Sequence, residues 1–440
     1  MNSINHSIES VDPLGKTFSC QVKEAPRASG KAPLPAGDGV SLVNTTKLCD
    51  ASYNAACEVR STNFKLRNIA QSVLGHNHRV FSCQKVPSYG VQKLGHSRGI
   101  SKNVDGKAFY HGIGVCGDVH CCPVCSVKIS EGRRQEVVHA LRSHSESGYI
   151  SLFATFTIRH SRDDSLSDNV SSFRNARSDL IRSQKYRKIK DRICMSGYIR
   201  RLEVTWGNSN GWHPHDHEVW LIDKKTISAS ELQVLQLEIF ELWEHYCKKY
   251  NLEAPSFLHG FDLRWKEGDG SSSVGAYLTK WGHELTYGHT KKANGEDRHT
   301  PFSLLYSLKE NYNPKFAALY QEYAKAFKGR AQLLWSRGLK AKFGIQEFTD
   351  GELTERPEKI PYCDLSVEQS FRISFLNKFS TVLDYAELHP PELTFLYIDS
   401  LSQQANSILT KNFKRRRSNY ISDLTLSDMF DRGIYESEIS

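Results

Sequence analysis

The chain has 440 residues, of which 39% are hydrophobic and 24% charged, enough apolar material for two or three cores and too much for a small cross-linked domain. Its 58 Lys+Arg against 49 Asp+Glu give a net charge of +9, which suits a polyanionic partner but is common among soluble proteins. No run approaches the roughly 18 apolar residues of a membrane span. The opening Met1-Asn-Ser-Ile-Asn-His has no basic and then apolar signal segment, so the 11 cysteines are expected in a reducing cytoplasm.

Residues 1–60 are rich in Ser, Asn, Gly and Pro and keep no hydrophobic period, so a mostly disordered arm is expected there. Cys20, Cys49 and Cys57 lie in it at irregular spacing and carry no assignment. From Arg79 the pattern changes. Val80-Phe81-Ser82-Cys83 predicts a short strand, and Cys122-Pro-Val-Cys125 has zinc-knuckle spacing, two thiolates gripping one ion from a tight turn. Cys116 supplies a third thiolate and Cys83 is the preferred fourth ligand of a structural Zn²⁺, with His120 and Cys121 as competing choices. Buried thiols or a redox pair are the alternative reading. Residues 126–142 follow as an amphipathic helix whose polar face carries Arg133 and Arg134, candidates for phosphate contact.

Residues 151–158 are dense in aromatic and β-branched side chains and predict a strand ending in Arg159-His160; 164–183 read as helix and 198–205 as a second strand. The turn Gly207-Asn-Ser-Asn-Gly211 then leads into Gly211-Trp-His-Pro-His-Asp-His217, which sets His213, His215 and His217 at two-residue spacing. Alternate side chains of a strand share a face, so these imidazoles project together as a divalent-metal site; partly exposed loop histidines are the bland alternative. The two strands should be antiparallel neighbours. Glu203 on the first can face His215 and His217 if the register allows; otherwise it is an exposed strand glutamate.

Residues 228–250 predict a long helix packed on the sheet, and 261–265 another strand. After Gly268-Asp-Gly270, Ser271 or Ser272 can cap a helix in which Tyr277 and Lys280 are i, i+3 neighbours and Glu284 shares their face. Tyr277 alone would more often be a packing residue. Residues 316–335 read as an amphipathic helix, and 368–377 and 391–409 as helices of a tail that continues into Lys414-Arg-Arg-Arg417.

Taken in order, Cys116-Gly, Cys122-Pro-Val-Cys125, Phe156-Thr-Ile-Arg-His160, Leu202-Glu-Val-Thr205, Gly211-Trp-His-Pro-His-Asp-His217, Tyr277-Leu-Thr-Lys280-Trp, Thr300-Pro-Phe-Ser-Leu-Leu305 and Trp335-Ser-Arg-Gly-Leu-Lys340 resemble the rolling-circle plasmid replication initiators. These are HUH endonucleases, named for His-hydrophobic-His. The likeness runs from about Cys83 to about Asp350. It implies an α+β fold, an antiparallel sheet flanked by helices with the histidine strand central, behind an N-terminal zinc-knuckle module and before a helical C-terminal region.

The implied segments are an arm at 1–60, a cysteine-rich zinc module with its basic helix at 79–145, a nuclease domain at 150–300, a helical extension at 301–350 and a helical tail at 351–440. By the same resemblance His215 and His217 bind Mg²⁺ or Mn²⁺ together with Glu203, Tyr277 is the nucleophile, Lys280 supports its charge, and Glu284 is a candidate base for a terminating hydrolysis. Asp216 departs from the family's usual apolar residue, so His213-Pro-His215 is the more literal match and His213 stays an alternative ligand. The implied activity nicks one strand of plasmid origin DNA, leaving a 5′-phosphotyrosine link and a 3′-hydroxyl for a host helicase and DNA polymerase to extend. A transposase or relaxase shares this chemistry, and a non-catalytic zinc DNA-binding regulator is the rival of another class.

Overall fold

A computed structural model describes residues 7–11, 17–21, 46–85, 97–265, 298–355 and 360–416. Strands β1 (Ser7–Val11) and β2 (Thr17–Gln21) pair antiparallel and belong to an N-terminal unit of their own. Helix α1 (Thr46–Leu74) begins inside the stretch expected to be a disordered arm. The apolar spacing that anchors it appears only beyond residue 60, where Phe64, Leu66 and Ala70 are buried, while Ala51, Ala55 and Ala56 carry the helix without any amphipathic signature. Val80–Cys83 is a series of turns rather than the expected strand, closed by Cys83 N–H to the Val80 carbonyl.

Strands β3 (Gly99–Lys102) and β4 (Ala108–His111) form a hairpin, and α2 (Pro123–Glu146) starts with Pro123 at its first position, where a missing amide costs nothing. Next come β5 (Ile150–Thr157), α3 (Leu166–Arg182) and α4 (Gln184–Arg192), the last two capped by Ser165 and Ser183. The long hairpin of β6 (Met195–Gly207) and β7 (Gly211–Ile222) leads to α5 (Ala229–Lys249), which opens with a Ser228/Glu231 capping box. Then follow β8 (Phe261–Arg264), β9 (Arg298–His299), α6 (Pro301–Glu310), α7 (Pro314–Phe327), β10 (Leu334–Trp335), α8 (Leu339–Lys342) and α9 (Asp350–Glu355). The helix expected over 316–335 stops at Phe327, because Gly329 takes a left-handed φ of 73° and the chain turns to place β10 on the sheet. The tail supplies β11 (Ile360–Asp364), α10 (Val367–Phe375), α11 (Phe379–Leu388) and α12 (Pro391–Arg416). It is thus more than helical: β11 completes a three-stranded sheet on β3, with Pro361 tolerated because β11 is an edge strand.

The main sheet runs β10-β6-β7-β5-β8, every pair antiparallel, with β9 beside the end of β6. β7 is central, as expected. One face packs Phe156, Trp220 and Phe261 against Phe173, Tyr186 and Trp243 of α3, α4 and α5. On the other, Phe153, Ile199, Val219 and Leu221 meet Val137, Ala140 and Leu141 of α2 together with Leu333 and Leu339. A separate core joins α1, the cysteine-rich segment, α6, α7 and the tail helices. Among the described residues no helix is long and apolar enough to cross a membrane.

Candidate active site and metal centres

The register of the β6–β7 hairpin decides which side chains share the histidine face. Gly211 opens β7 at φ 73°, where a Cβ would lie 2.9 Å from the Arg162 backbone, so a side chain there would disrupt the turn that sets this register. Glu203 lies directly opposite His215, and Arg201 opposite His217. Alternation therefore brings Glu203, His215 and His217 to one surface and turns Asp216 to the other face. There Asp216 lies buried 3.5 Å from Arg200, its carboxyl pushed up to about 6 by burial against the pull of that guanidinium.

His215 Nε2 and His217 Nε2 stand 3.6 and 3.7 Å from the same oxygen, Glu203 Oε2. Each ring is steered by its other nitrogen: His215 Nδ1 lies 3.3 Å from the His213 carbonyl, and His217 Nδ1 3.3 Å from Thr155 Oγ1 on β5. This is the outer support a metal-binding imidazole needs. Burial raises the Glu203 carboxyl, but Arg201 and the two imidazoles more than offset it and hold the group well below the usual carboxylate range. Glu203 Oε1 is buried, has no hydrogen-bond partner and lies 3.4 Å from Arg201 Nε. Two imidazole nitrogens, an ionised carboxylate and a buried oxygen short of a partner fit a hard divalent cation.

His213 is not part of this convergence. Its Nδ1 lies 2.7 Å from His160 Nε2, and His160 Nδ1 donates to the Asn210 carbonyl at 2.7 Å. Burial, then His215 and His160, lower His213 to about 3, so its ring is neutral. His160, Thr155 and Arg201 were not assigned roles from the sequence. Arg201 could have been found by the same two-residue alternation that relates it to Glu203, whereas His160 and Thr155 required the pairing of β5 with β7.

The cysteines form a second centre. Cys83, Cys116, Cys122 and Cys125 cluster, with Sγ separations of 3.6 Å for Cys83–Cys125, 3.6 Å for Cys116–Cys125 and 3.7 Å for Cys83–Cys122. Zn–S bonds of about 2.3 Å in a tetrahedron give sulfur separations of about 3.8 Å. The four sulfurs are therefore spaced for zinc and lie too far apart for disulfides. The competing ligands are otherwise engaged: His120 Nε2 lies 3.1 Å from the Arg330 carbonyl and its Nδ1 3.4 Å from Tyr323 Oη, while Cys121 points toward Asp118 and His78. Cys122 caps α2 and Cys125 follows in its first turn. Cys83 is brought in by α1, where Gln71 Nε2 donates to the Val80 and Cys83 carbonyls and buried Arg67 donates to Gln84 Oε1.

Arg133 and Arg134 are held in internal pairs, Arg133 with Glu136 and Asp350 and Arg134 with Glu131. Tyr277, Lys280 and Glu284 lie outside the described residues.

Residues 111–252, which hold the whole histidine–glutamate site and three of the four clustered cysteines, match the replication protein family. The similarity to that family is confined to this segment. The chain is also 25% identical to "Protein rep" of Streptomyces lividans, over 58% of this chain and 68% of that protein. It is 30% identical to "Neomycin resistance protein" of Streptomyces cyanogenus, over 29% of this chain and 34% of that protein, so it spans about a third of this second relative. No solved structure matches.

Proposed function

We propose that this replication-family protein starts rolling-circle replication of a plasmid by nicking one strand at the double-strand origin. The observation that carries the reading is the convergence of His215 Nε2 and His217 Nε2 on Glu203 Oε2 within the family-matched segment. Glu203, His215 and His217 would hold Mg²⁺ or Mn²⁺, which would supply Lewis-acid activation of the scissile phosphate. Thr155 and the His213 carbonyl orient the imidazoles, and Arg201 keeps Glu203 ionised.

Tyr277 is the nucleophile of this reading. Its phenol gives up a proton, its oxygen bonds to phosphorus, the P–O3′ bond breaks, and the 3′ oxygen leaves and is protonated. The bond energy is kept in the phosphotyrosine, so no nucleotide hydrolysis is needed. A phenol with a pKa near 10 needs help at neutral pH, and Lys280, three residues on in the sequence, supports the phenolate. Glu284 acts as base in the hydrolysis that ends a round. The freed 3′-hydroxyl primes a host DNA polymerase behind a host helicase, in the cytoplasm. Zn²⁺ on the four cysteines holds the 79–145 module.

A transposase or relaxase would share these steps; the replication-family match favours an initiator. A zinc regulator without catalysis would have no use for a carboxylate ionised between two imidazoles. The test is incubation with supercoiled DNA carrying the plasmid region next to the gene, with and without Mg²⁺ or Mn²⁺. A mapped, metal-dependent nick in one strand is expected. Stable binding that leaves the DNA supercoiled under both conditions would favour the regulator.

A further inference from the structure

A cavity of about 50 Å³ opens between the cysteine-rich segment and the C-terminal end of α7. Its walls include Arg79, Asp118, His120, Lys328, Arg330 and Asp350. The two carboxylates are already engaged by the protein. Asp118 Oδ1 accepts the His120 and Cys121 amides at 3.0 and 2.9 Å, and Asp350 Oδ1 accepts Arg133 Nη2 at 2.8 Å. Arg79 faces Asp118, but Lys328 and Arg330 are not matched in the same way. Lys328 is exposed and forms no ion pair among the described residues. Arg330 donates through Nε to the Ala326 carbonyl, but its Nη1 is buried with no hydrogen-bond partner. A buried guanidinium nitrogen left without an acceptor is costly unless a ligand supplies one.

The cavity also shares the walls His120 and Phe327 with a smaller one lined by Arg201 and Glu203, the carboxylate of the metal site. We propose that Arg79, Lys328 and Arg330 form a subsite for a backbone phosphate of the DNA strand, placed beside the nicking centre and outside it. This rests on the nucleic-acid reading of that centre. Asp118 and Cys121 line the same cavity and, with His78, are grouped closely enough to invite a cation. Two features oppose that: Asp118 Oδ1 is taken by amides, and Oδ2 faces Arg79 Nε at 3.9 Å. An anion meets the reverse situation, with three cations and an unpaired donor.

The test uses the full chain in metal-free buffer, so that cleavage cannot interfere, and follows binding of fluorescein-labelled oligothymidylate by anisotropy across a range of KCl. Lys328→Gln with Arg330→Gln should weaken binding several-fold and flatten the slope of log K against log salt by about 0.7, the loss of one phosphate contact to a single strand. Arg330→Lys should keep most of the slope. Lys328→Gln alone, at an exposed position that cannot unsettle the fold, should flatten it in part. Equal slopes and affinities in the wild type and the double variant would overturn the subsite and leave the nuclease reading standing. A wild type that does not bind oligothymidylate would remove both. Inorganic phosphate at constant ionic strength distinguishes the source of the anion: weak competition is expected, whereas tight phosphate binding with oligothymidylate affinity indifferent to these substitutions would overturn the strand assignment.

Discussion

Replacing Arg177 by Met probes the support beneath the histidine strand. Arg177 of α3 and Glu218 of β7 both have side chains with no exposure. Arg177 Nε and Nη2 donate to Glu218 Oε1 at 2.9 and 2.6 Å, and Nη2 donates to Oε2 at 2.5 Å. Trp220 Nε1 donates to Oε2 at 2.7 Å, and the guanidinium lies 4.0 Å from the Phe156 ring centroid. Met fills most of the space but leaves a carboxylate in the core with the indole as its one remaining donor in this group. Breaking a buried pair from one side costs about 3–5 kcal/mol. With a urea dependence of about 2–3 kcal/mol per molar, the unfolding midpoint should fall by roughly 1–2 M, followed by the fluorescence of core Trp220 and Trp243. Removing the stranded charge as well, in Arg177→Met with Glu218→Gln, should recover most of that loss. Because Glu218 adjoins His217, the single variant should also bind Mn²⁺ more weakly. A stability change below about 1 kcal/mol, or a double variant no better than the single one, would refute the buried-charge reasoning.

Elemental analysis of protein purified without chelator should find one zinc per chain, lost in Cys83→Ser and Cys122→Ser with increased proteolysis in the 79–145 module; zinc-free wild type would rule out the tetrad as a zinc site. His215→Ala and His217→Ala should abolish Mn²⁺ binding measured by calorimetry, and His213→Ala should retain it. Equal loss in His213→Ala with His217→Ala harmless would move the pair to His213 and His215. Burial, opposed by the Ile150 carbonyl and Asp223, holds His144 below its ordinary 6.5, so the folded chain prefers the neutral ring. The unfolded chain then binds the proton first, so this stability is fully present above pH 6.5 and declines as pH falls below it. His144→Phe should flatten that dependence in urea unfolding, and an unchanged pH slope would count against it.

The β-hairpin and its histidine face were legible because strand alternation is a local property: three histidines at two-residue spacing can share a face only if the segment is extended, and one Asn-rich turn fixes the partner. The place of Cys83 in the cysteine cluster was also legible, though for an incomplete reason. The expected strand at 80–83 is a turn, and Cys83 is placed by Arg67 and Gln71 of α1, a helix whose apolar positions lie too far along to mark its start. The β11 strand was missed because Ile360-Pro-Tyr-Cys-Asp364 is short and interrupted by proline, and its partner β3 is distant in sequence. Arg133 and Arg134 lie on the polar helix face expected for phosphate contact. Their carboxylate partners at Glu131 and Glu136 lie at i, i±3 and were visible, while Asp350 was not.

The nucleophile is the claim on which the nicking mechanism turns, and it is tested most directly by isolating protein covalently joined to nicked origin DNA and sequencing the labelled peptide by mass spectrometry. Wild-type protein with supercoiled origin DNA and Mn²⁺ should carry the 5′ end of the nicked strand on Tyr277. The Tyr277→Phe variant, which removes one oxygen and little volume, should still bind the origin but form neither nick nor adduct. Nicking at the wild-type rate by Tyr277→Phe, or recovery of the label on any other residue, would contradict the assignment.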